Sequence, residues 1–471
     1  MLKWLGSPAT ACDGFSRRDV LQVGGLGALG ILLPEVLKGR AMATGSTGSA
    51  RADACILVYL FGGPSQLDTF DLKPDAPADF RGEFRPIETN VPGISICEHF
   101  SLLAAQADKY AIVRSMHHGH PRHGYGLYYM FTGREHARPD LDAPPTPDDF
   151  PSVGSLVARL RPPRAGFPPA ITLPRWNRFL DVPNDYAGET AGFLGQSYDP
   201  WLLKIEHDAK EQSVAAVELP RGVTLDRVTC RRELWQSLDR TLASWGDREA
   251  PRQHDSLYRQ AFELVTSPEA RGAFDLSREP PALRDRYGSH PFGQGLLLAR
   301  RLVEAGTSLV TVNWHNDGSD VKSPFWDTHK DNFRALRERL IPPVDRALST
   351  LLVDLADRGM LERTLVVVMG EFGRTPKIGR VVMNAATDAN GRDHWPHAYS
   401  VLLAGGGVRG GQVYGASDNR GAYVADSPVS PPDLVATVLD CLGYDLSTRI
   451  RDRQGRPHSV CEGEPIRGLL Y

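Results

Sequence analysis

PFWDTHKDNF at residues 324–333 and TLVVVMGEFGRTP at residues 364–376 are the stretches on which the reading of the fold turns. Just upstream, Ser308 to Asn313 (SLVTVN) is strand-like, and Asp327 and His329 follow it. From about Asn332 to Arg358 apolar residues recur at helical spacing, at Leu336, Leu340, Val344, Leu348, Leu351, Leu352 and Leu355. Pro342 and Pro343 predict a kink near the start of this helix, and Gly359 is a natural C-cap. Leu365 to Met369 is a continuous apolar run, the pattern of a parallel strand buried on both faces. Glu371 stands just beyond it. Strand, polar loop, helix and strand, with acids and a histidine at the strand ends, is an α/β unit, and such units bind ligands outside the carboxyl ends of their strands.

The run DRGMLERTLVVVMGE from Asp357 to Glu371, with WDTH before it, resembles the metal-binding core of the alkaline phosphatase and sulfatase superfamily. The wording of LFGGPSQLDTFD (residues 60–71), WDTH, GEFGRTP and GRDHWPH (residues 391–397) resembles more closely an exported branch, domain-of-unknown-function family 1501. The resemblance implies an alkaline phosphatase-like α/β sandwich over residues 54–471, with a largely parallel central sheet and helices on both faces. It also implies metal ligation by Asp327, His329 and Glu371, and by a late histidine, His394 first and His397 second. A metal-binding Asp is expected directly at the end of the first strand, Cys55 to Phe61, but Gly62 and Gly63 stand there. Asp68 either reaches back to supply that ligand or is a solvated loop acid.

A second strand, Tyr110 to Arg114, leads into SMHHGHPRHGYG, with His117, His118, His120 and His123. Four histidines beside a strand end point to metal or proton chemistry more than a lone histidine does. In the resembling sulfatases a nucleophile, a short helix and T-G-R follow one another. Counting back from Thr132-Gly133-Arg134 places that position on His123, with no Ser, Thr or Cys beside it. His123 then has three open roles: covalent nucleophile, general acid or base, or metal ligand. A divalent cation suits these donors, zinc first because of the imidazoles, with manganese, magnesium or calcium as alternatives. Arg374, Arg134 and Arg114 are candidates to bind a tetrahedral anion bidentately, and each is equally a candidate for salt bridges to loop acids. Asp393 is a further candidate on the substrate side.

Composition narrows the class. A net charge of −3 over 471 residues and a pI near 6.5 argue against a generic nucleic-acid or membrane surface. The N-terminus reads as an export signal: Ser16-Arg17-Arg18-Asp19-Val20-Leu21 is a twin-arginine motif, an apolar, glycine-rich stretch runs from Val20 to Leu37, and Ala41-Met42-Ala43 is a small-residue cleavage site. Residues 1–43 are thus expected to be a signal and 44–53 a linker. The partners are the twin-arginine translocase during export and a small-molecule or polysaccharide ester as substrate, with no stable membrane span, and the location is periplasmic or extracellular. Cys12 falls in the leader, and the other five cysteines show no CxxC spacing; Cys441 with Cys461, Cys55 with Cys97, or buried free thiols all remain open.

The middle, from Asp140 to about Glu304, is loop-rich, with helical stretches near 231–245, 253–265 and 292–305. Trp176, Arg178, Tyr186 and Trp201 there are candidate pocket residues or plain core. AGGGVRGGQVYG, residues 404–415, reads as a hairpin-like segment. Two functions stand side by side: a metal-dependent hydrolase of phosphate or sulfate esters, favoured by WDTH, GEFGR and GRDHWPH, and a non-catalytic exported binding or structural protein, favoured by the missing first-strand Asp and nucleophile.

Overall fold

A computed structural model describes residues 50–138, 142–161, 167–179, 182–204, 223–231, 233–234, 262, 264, 266–314, 325–384 and 386–471. The leader, its cleavage site and residues 44–49 of the linker lie outside the described residues, as do Pro324 and most of the helical stretches expected at 231–245 and 253–265.

Eight strands form the central sheet: β1 (Ala54–Tyr59), β2 (Tyr110–Met116), β3 (Ala170–Leu173), β4 (Trp201–Leu202), β5 (Leu309–Asn313), β6 (Thr364–Met369), β7 (Tyr399–Ala404) and β8 (Gln412–Tyr414). Their spatial order is β8-β2-β7-β6-β1-β5-β3-β4. β7 pairs antiparallel with both β6 and β2, and every other neighbouring pair is parallel. β1 and β6 are buried along their whole length. That burial accounts for their unbroken apolar sequences, because a strand covered on both faces has no solvent side for polar residues.

Helices cover both faces. In-register Val58, Val312 and Val368 point to one side. There α1 (Pro291–Ala305) brings Gly295 against Val312, and α2 (Ile341–Asp357) lays Leu348 and Leu352 over Val366 and Val368. Their neighbours Tyr59, Asn313 and Met369 point the other way, where the Tyr59 ring meets Phe131 at 4.8 Å. Phe131 belongs to the helix His123–Thr132, which packs on Pro431–Cys441. The kink expected at Pro342 and Pro343 takes the form of a widened π turn, Leu336–Leu340, between Asn332–Ala335 and α2. The prolines have no N–H for an i→i−4 bond, and a wider turn absorbs that loss while the axis continues.

One sequence expectation is corrected, and of the open alternatives for the cysteines the free thiols are found. Residues 404–415 do not form a hairpin: β7 and β8 flank β2 on opposite sides, so the glycine-rich loop crosses over its end. The five cysteines among the described residues are free thiols, four of them buried. No helix among the described residues is long and apolar enough to cross a membrane.

Candidate metal centre

Four segments meet beyond the carboxyl ends of β1 and β6. The Trp326 N–H donates to the Phe61 carbonyl (2.9 Å), which ties the Asp327–His329 turn to the end of β1. His123 opens its helix. The two-residue strand His394–Trp395 pairs antiparallel with Gly373–Arg374 just past β6. Gly62 explains why these segments can come so close. Its φ is +112°, and a β-carbon there would collide with the backbone of Trp326 and Asp327. Only glycine accepts both the left-handed conformation and that approach.

The result is a tight group of donors. His123 Nε2 lies 2.9 Å from His394 Nε2, and His329 Nε2 lies 2.9 Å from the same atom. Asp327 Oδ1 stands 2.9 Å from His329 Nε2, 3.2 Å from His394 Nε2 and 3.4 Å from His123 Nε2. All four ligand atoms fall within 4.8 Å of one another. The opposite ring nitrogens show which way each imidazole is wired. His394 Nδ1–H donates to the Pro121 carbonyl (2.6 Å), an oxygen that only accepts. His123 Nδ1–H donates to Glu371 Oε1 (2.5 Å). His329 Nδ1–H donates to Thr387 Oγ1 (2.9 Å), whose own proton goes to the Asn384 carbonyl (2.8 Å). With each Nδ1 acting as donor, the three Nε2 atoms face one point beside a carboxylate. Such outer acceptors are what hold histidines in a metal-ligating tautomer.

The electrostatics match. Burial works against a charged His123, but Asp327 and then Glu371 outweigh it and hold its pKa up at about 9. Burial, followed by the positive charge on His123, drives His394 down to about 3. Burial would raise Asp327, yet Arg374 and then His123 keep its carboxyl well below the usual range. One proton therefore sits on His123, and a cation entering the group takes that proton's place. Three imidazole nitrogens and one carboxylate oxygen fit zinc, and also accept other divalent first-row ions.

Other residues expected at the site stand elsewhere. Glu371 is one layer out, its Oε1 shared between His123 Nδ1 and the Gly62 N–H (2.8 Å). Asp393 is also behind the group: its Oδ1 lies 3.5 Å from His329 Nδ1, and its Oδ2 accepts the N–H groups of Val382, Met383 and Asn384. Asp68 neither reaches back nor meets solvent. Its buried carboxylate pairs with Arg392 Nε (2.8 Å) and accepts from Ser65 Oγ and Asn332 Nδ2. His397 turns away to pack on Trp395 and Tyr423.

The arginines are committed to the protein. Arg374 is fully buried, 2.6 Å from Asp327 Oδ1, and donates to the Gly62 and Gly63 carbonyls. Arg134 pairs with Glu462 and donates to the Ser459 carbonyl (2.6 Å). Arg114 donates to the carbonyls of Phe70 and Ser95. Of the histidine-rich loop only His123 enters the group; His118 Nε2–H donates to the Glu371 carbonyl (2.6 Å) and His120 packs on Tyr125. Tyr186 is buried against Phe61 and Phe179, and Trp201 packs on Phe274, so both serve as core. Sequence reasoning missed Arg392, Thr387 and the Pro121 carbonyl. Arg392 lies inside GRDHWPH, but no local pattern marks the other two.

Several solved structures are similar in outline. Ps i-CgsB aligns at 13% identity over 84% of this chain and 73% of its own, with a TM-score of 0.39. The PsFucS1 sulfatase from Pseudoalteromonas sp. aligns at 15% identity over 86% and 70%, TM-score 0.36. The phosphonate monoester hydrolase SpPMH from Silicibacter pomeroyi aligns at 15% identity over 90% and 76%, TM-score 0.36. No curated protein matches the chain. The family model described as "Protein of unknown function (DUF1501)" matches residues 52–470, and the chain belongs to that family.

Proposed function

We propose that this protein is a metal-dependent hydrolase of phosphate or sulfate esters, exported by the twin-arginine pathway with residues 1–43 as its signal and residues 54–471 as the working domain. The observation that carries the reading is the convergence of His123, His329 and His394 Nε2 with Asp327 Oδ1, every imidazole held from behind by an acceptor. A divalent ion there, zinc first, would supply Lewis-acid polarisation of a phosphoryl or sulfuryl oxygen.

The chain's own groups bind and orient. Glu371 fixes His123, Thr387 fixes His329, and the Pro121 carbonyl fixes His394. Arg374 Nη2 stands 2.6 Å from the same Asp327 Oδ1 that faces the imidazoles and offsets its charge, so the reading expects one ion per chain rather than two. Of the three roles open to His123, ligation is favoured: Nδ1 is spent on Glu371 and Nε2 faces the group, leaving no free nitrogen to form a covalent adduct.

One observation supports a second reading, a non-catalytic protein with a structural metal. Four protein donors complete a tetrahedral shell, and closed shells are typical of structural zinc, whereas catalytic zinc keeps a position open. The experiment is metal analysis of the purified protein with assays on phosphate monoesters, phosphate diesters and sulfate esters, for wild type, His123→Ala and His123→Gln. One zinc per chain with turnover that both variants lose supports the hydrolase. One zinc with no turnover on any ester favours the structural reading. A protein that takes up no divalent ion overturns both.

A further inference from the structure

Two of the histidines that the metal group leaves out, His117 and His397, line a separate groove. Successive residues of a strand point to opposite sides. On the strand His394–Trp395, His394 therefore enters the metal group while Trp395 turns outward to Tyr423, with ring centroids 5.6 Å apart. Beyond it lies a cavity of about 480 Å³ lined by His117, His397, Tyr423, Val424, Asp426 and Ser427, among others. Tyr423 is 54% exposed, unusual for so large an aromatic ring.

The ring is exposed but not loose. It packs on His397 at 5.4 Å with the planes tilted by 34°, and Trp395 meets both rings edge-on. The Trp395 indole N–H donates to the Ala422 carbonyl, and Arg380 lies over the indole ring at 5.3 Å. The turn that carries Tyr423 is wound on Asp418, whose carboxylate accepts the N–H groups of Arg420, Ala422 and Tyr423. A rigid aromatic face beside open hydrogen-bonding groups is a preorganised platform, which loses little entropy on binding.

The chemistry of the lining selects the ligand. Among the described residues the only group of donors close enough together to hold a metal is the one around Asp327, so His117, His397 and Asp426 do not form a second cation site. Burial and the nearby His117 lower the His397 pKa, which disfavours its cationic form. The exposed Asp426 carboxylate in the same wall works against an anion. What fits is an uncharged ring with an apolar face for Tyr423 and hydroxyls for Asp426, Ser427 and the imidazoles. We propose that the groove of Tyr423, His397, His117 and Asp426 binds a neutral sugar residue of an oligosaccharide. The proposal goes beyond the hydrolase reading and stands without it.

The test uses the full chain with cellohexaose, maltohexaose and laminarihexaose as probes, followed by ligand-detected NMR saturation transfer and calorimetry. At least one hexasaccharide is expected to bind, equally well before and after chelation of metal. Tyr423→Ala should weaken it about tenfold, the loss of one aromatic stacking contact. Tyr423→Phe should hold near wild type, Asp426→Asn should weaken it, and Leu102→Ala on a distant exposed surface should change nothing. Failure of all three probes to bind overturns the proposal, as does binding that Tyr423→Ala leaves intact. Binding abolished by chelation would instead place the sugar at the metal centre and also overturn it. A metal-free protein that still binds the sugar separates failure of the hydrolase reading from failure of this one.

Discussion

Asp68→Asn tests the division between metal ligands and structural acids. Asp68 and Arg392 are both fully buried, and the carboxylate takes Arg392 Nε at 2.8 Å and Nη2 at 3.2 Å, with Ser65 Oγ at 2.6 Å and Asn332 Nδ2 at 3.0 Å. An amide can keep its oxygen toward three of these donors, but its NH2 then faces the fourth, and the guanidinium loses its counter-charge. Removing one member of a buried pair costs about 3–5 kcal/mol because the other charge is stranded. Arg392 retains the carbonyls of Thr375, Pro376 and Phe80, which satisfy its N–H groups but not its charge. Arg392→Met should cost a similar amount by stranding the carboxylate. The double variant should lose less than the sum of the two, since neither charge is then left stranded. Urea unfolding gives the stabilities, and elemental analysis of the same samples gives the metal. Full metal occupancy in destabilised Asp68→Asn is the expected result. Metal lost from an Asp68→Asn protein whose stability stays within about 0.5 kcal/mol of wild type would refute the structural assignment and make Asp68 a ligand.

The proton on His123 makes metal binding pH-dependent. With its pKa held at about 9 in the folded protein, affinity should rise by about tenfold per pH unit from neutrality toward pH 9 and then level off, with close to one proton released per ion at pH 7, read by calorimetry in buffers of different ionisation enthalpy. The same raised pKa stabilises the metal-free protein below the ordinary histidine range, and that contribution disappears as pH rises through about 9; a metal-free protein whose stability is flat from pH 7 to 10 contradicts it. Thr387→Val removes the acceptor behind His329 without touching the donor group, so zinc affinity should fall about 10- to 100-fold with little loss of fold, measured by chelator competition.

The strands were legible because burial on both faces writes itself as apolar runs: Leu365 to Met369 and Cys55 to Phe61 are unbroken and lie in or overlap central strands, and Tyr399 to Ala404 is broken only at half-buried Ser400. Residue type and strand-end position also brought Asp327 and His329 into view, and the family resemblance brought His123 and His394. Depth was not legible. Glu371 and Asp393 sit at the right ends of the right segments, yet their carboxylates face the back of a histidine and a row of backbone N–H groups. Nothing local distinguishes a ligand from the acceptor behind it. The Asp68–Arg392 pair joins residues 324 positions apart, and Arg134 and Arg114 spend their guanidinium groups on carbonyls that no side-chain pattern records. His394 and His397 compete on spacing alone, and only the pleat of the strand, which turns Trp395 outward, separates them.

Gly62 and Gly63 looked like the loss of a ligand, and the geometry gives them a different meaning. A strand that ends in Asp offers its own side chain to the site and keeps neighbouring backbone at a distance. A strand that ends in Gly62, at φ +112°, offers none, but lets the Trp326–Asp327 peptide cross directly over it. That crossing brings Asp327 within 2.9 Å of His329 and 3.2 Å of His394. It also turns the Gly62 N–H onto Glu371 Oε1, the atom that orients His123, while the Gly62 carbonyl accepts from Arg374, the partner of Asp327. One glycine thus supports the Asp327 carboxylate, its counter-ion and the acceptor behind His123. Asp327 was expected beside a strand-end acid and is the one carboxylate of the group, so the glycine exchanges a second acid for the close approach of the first.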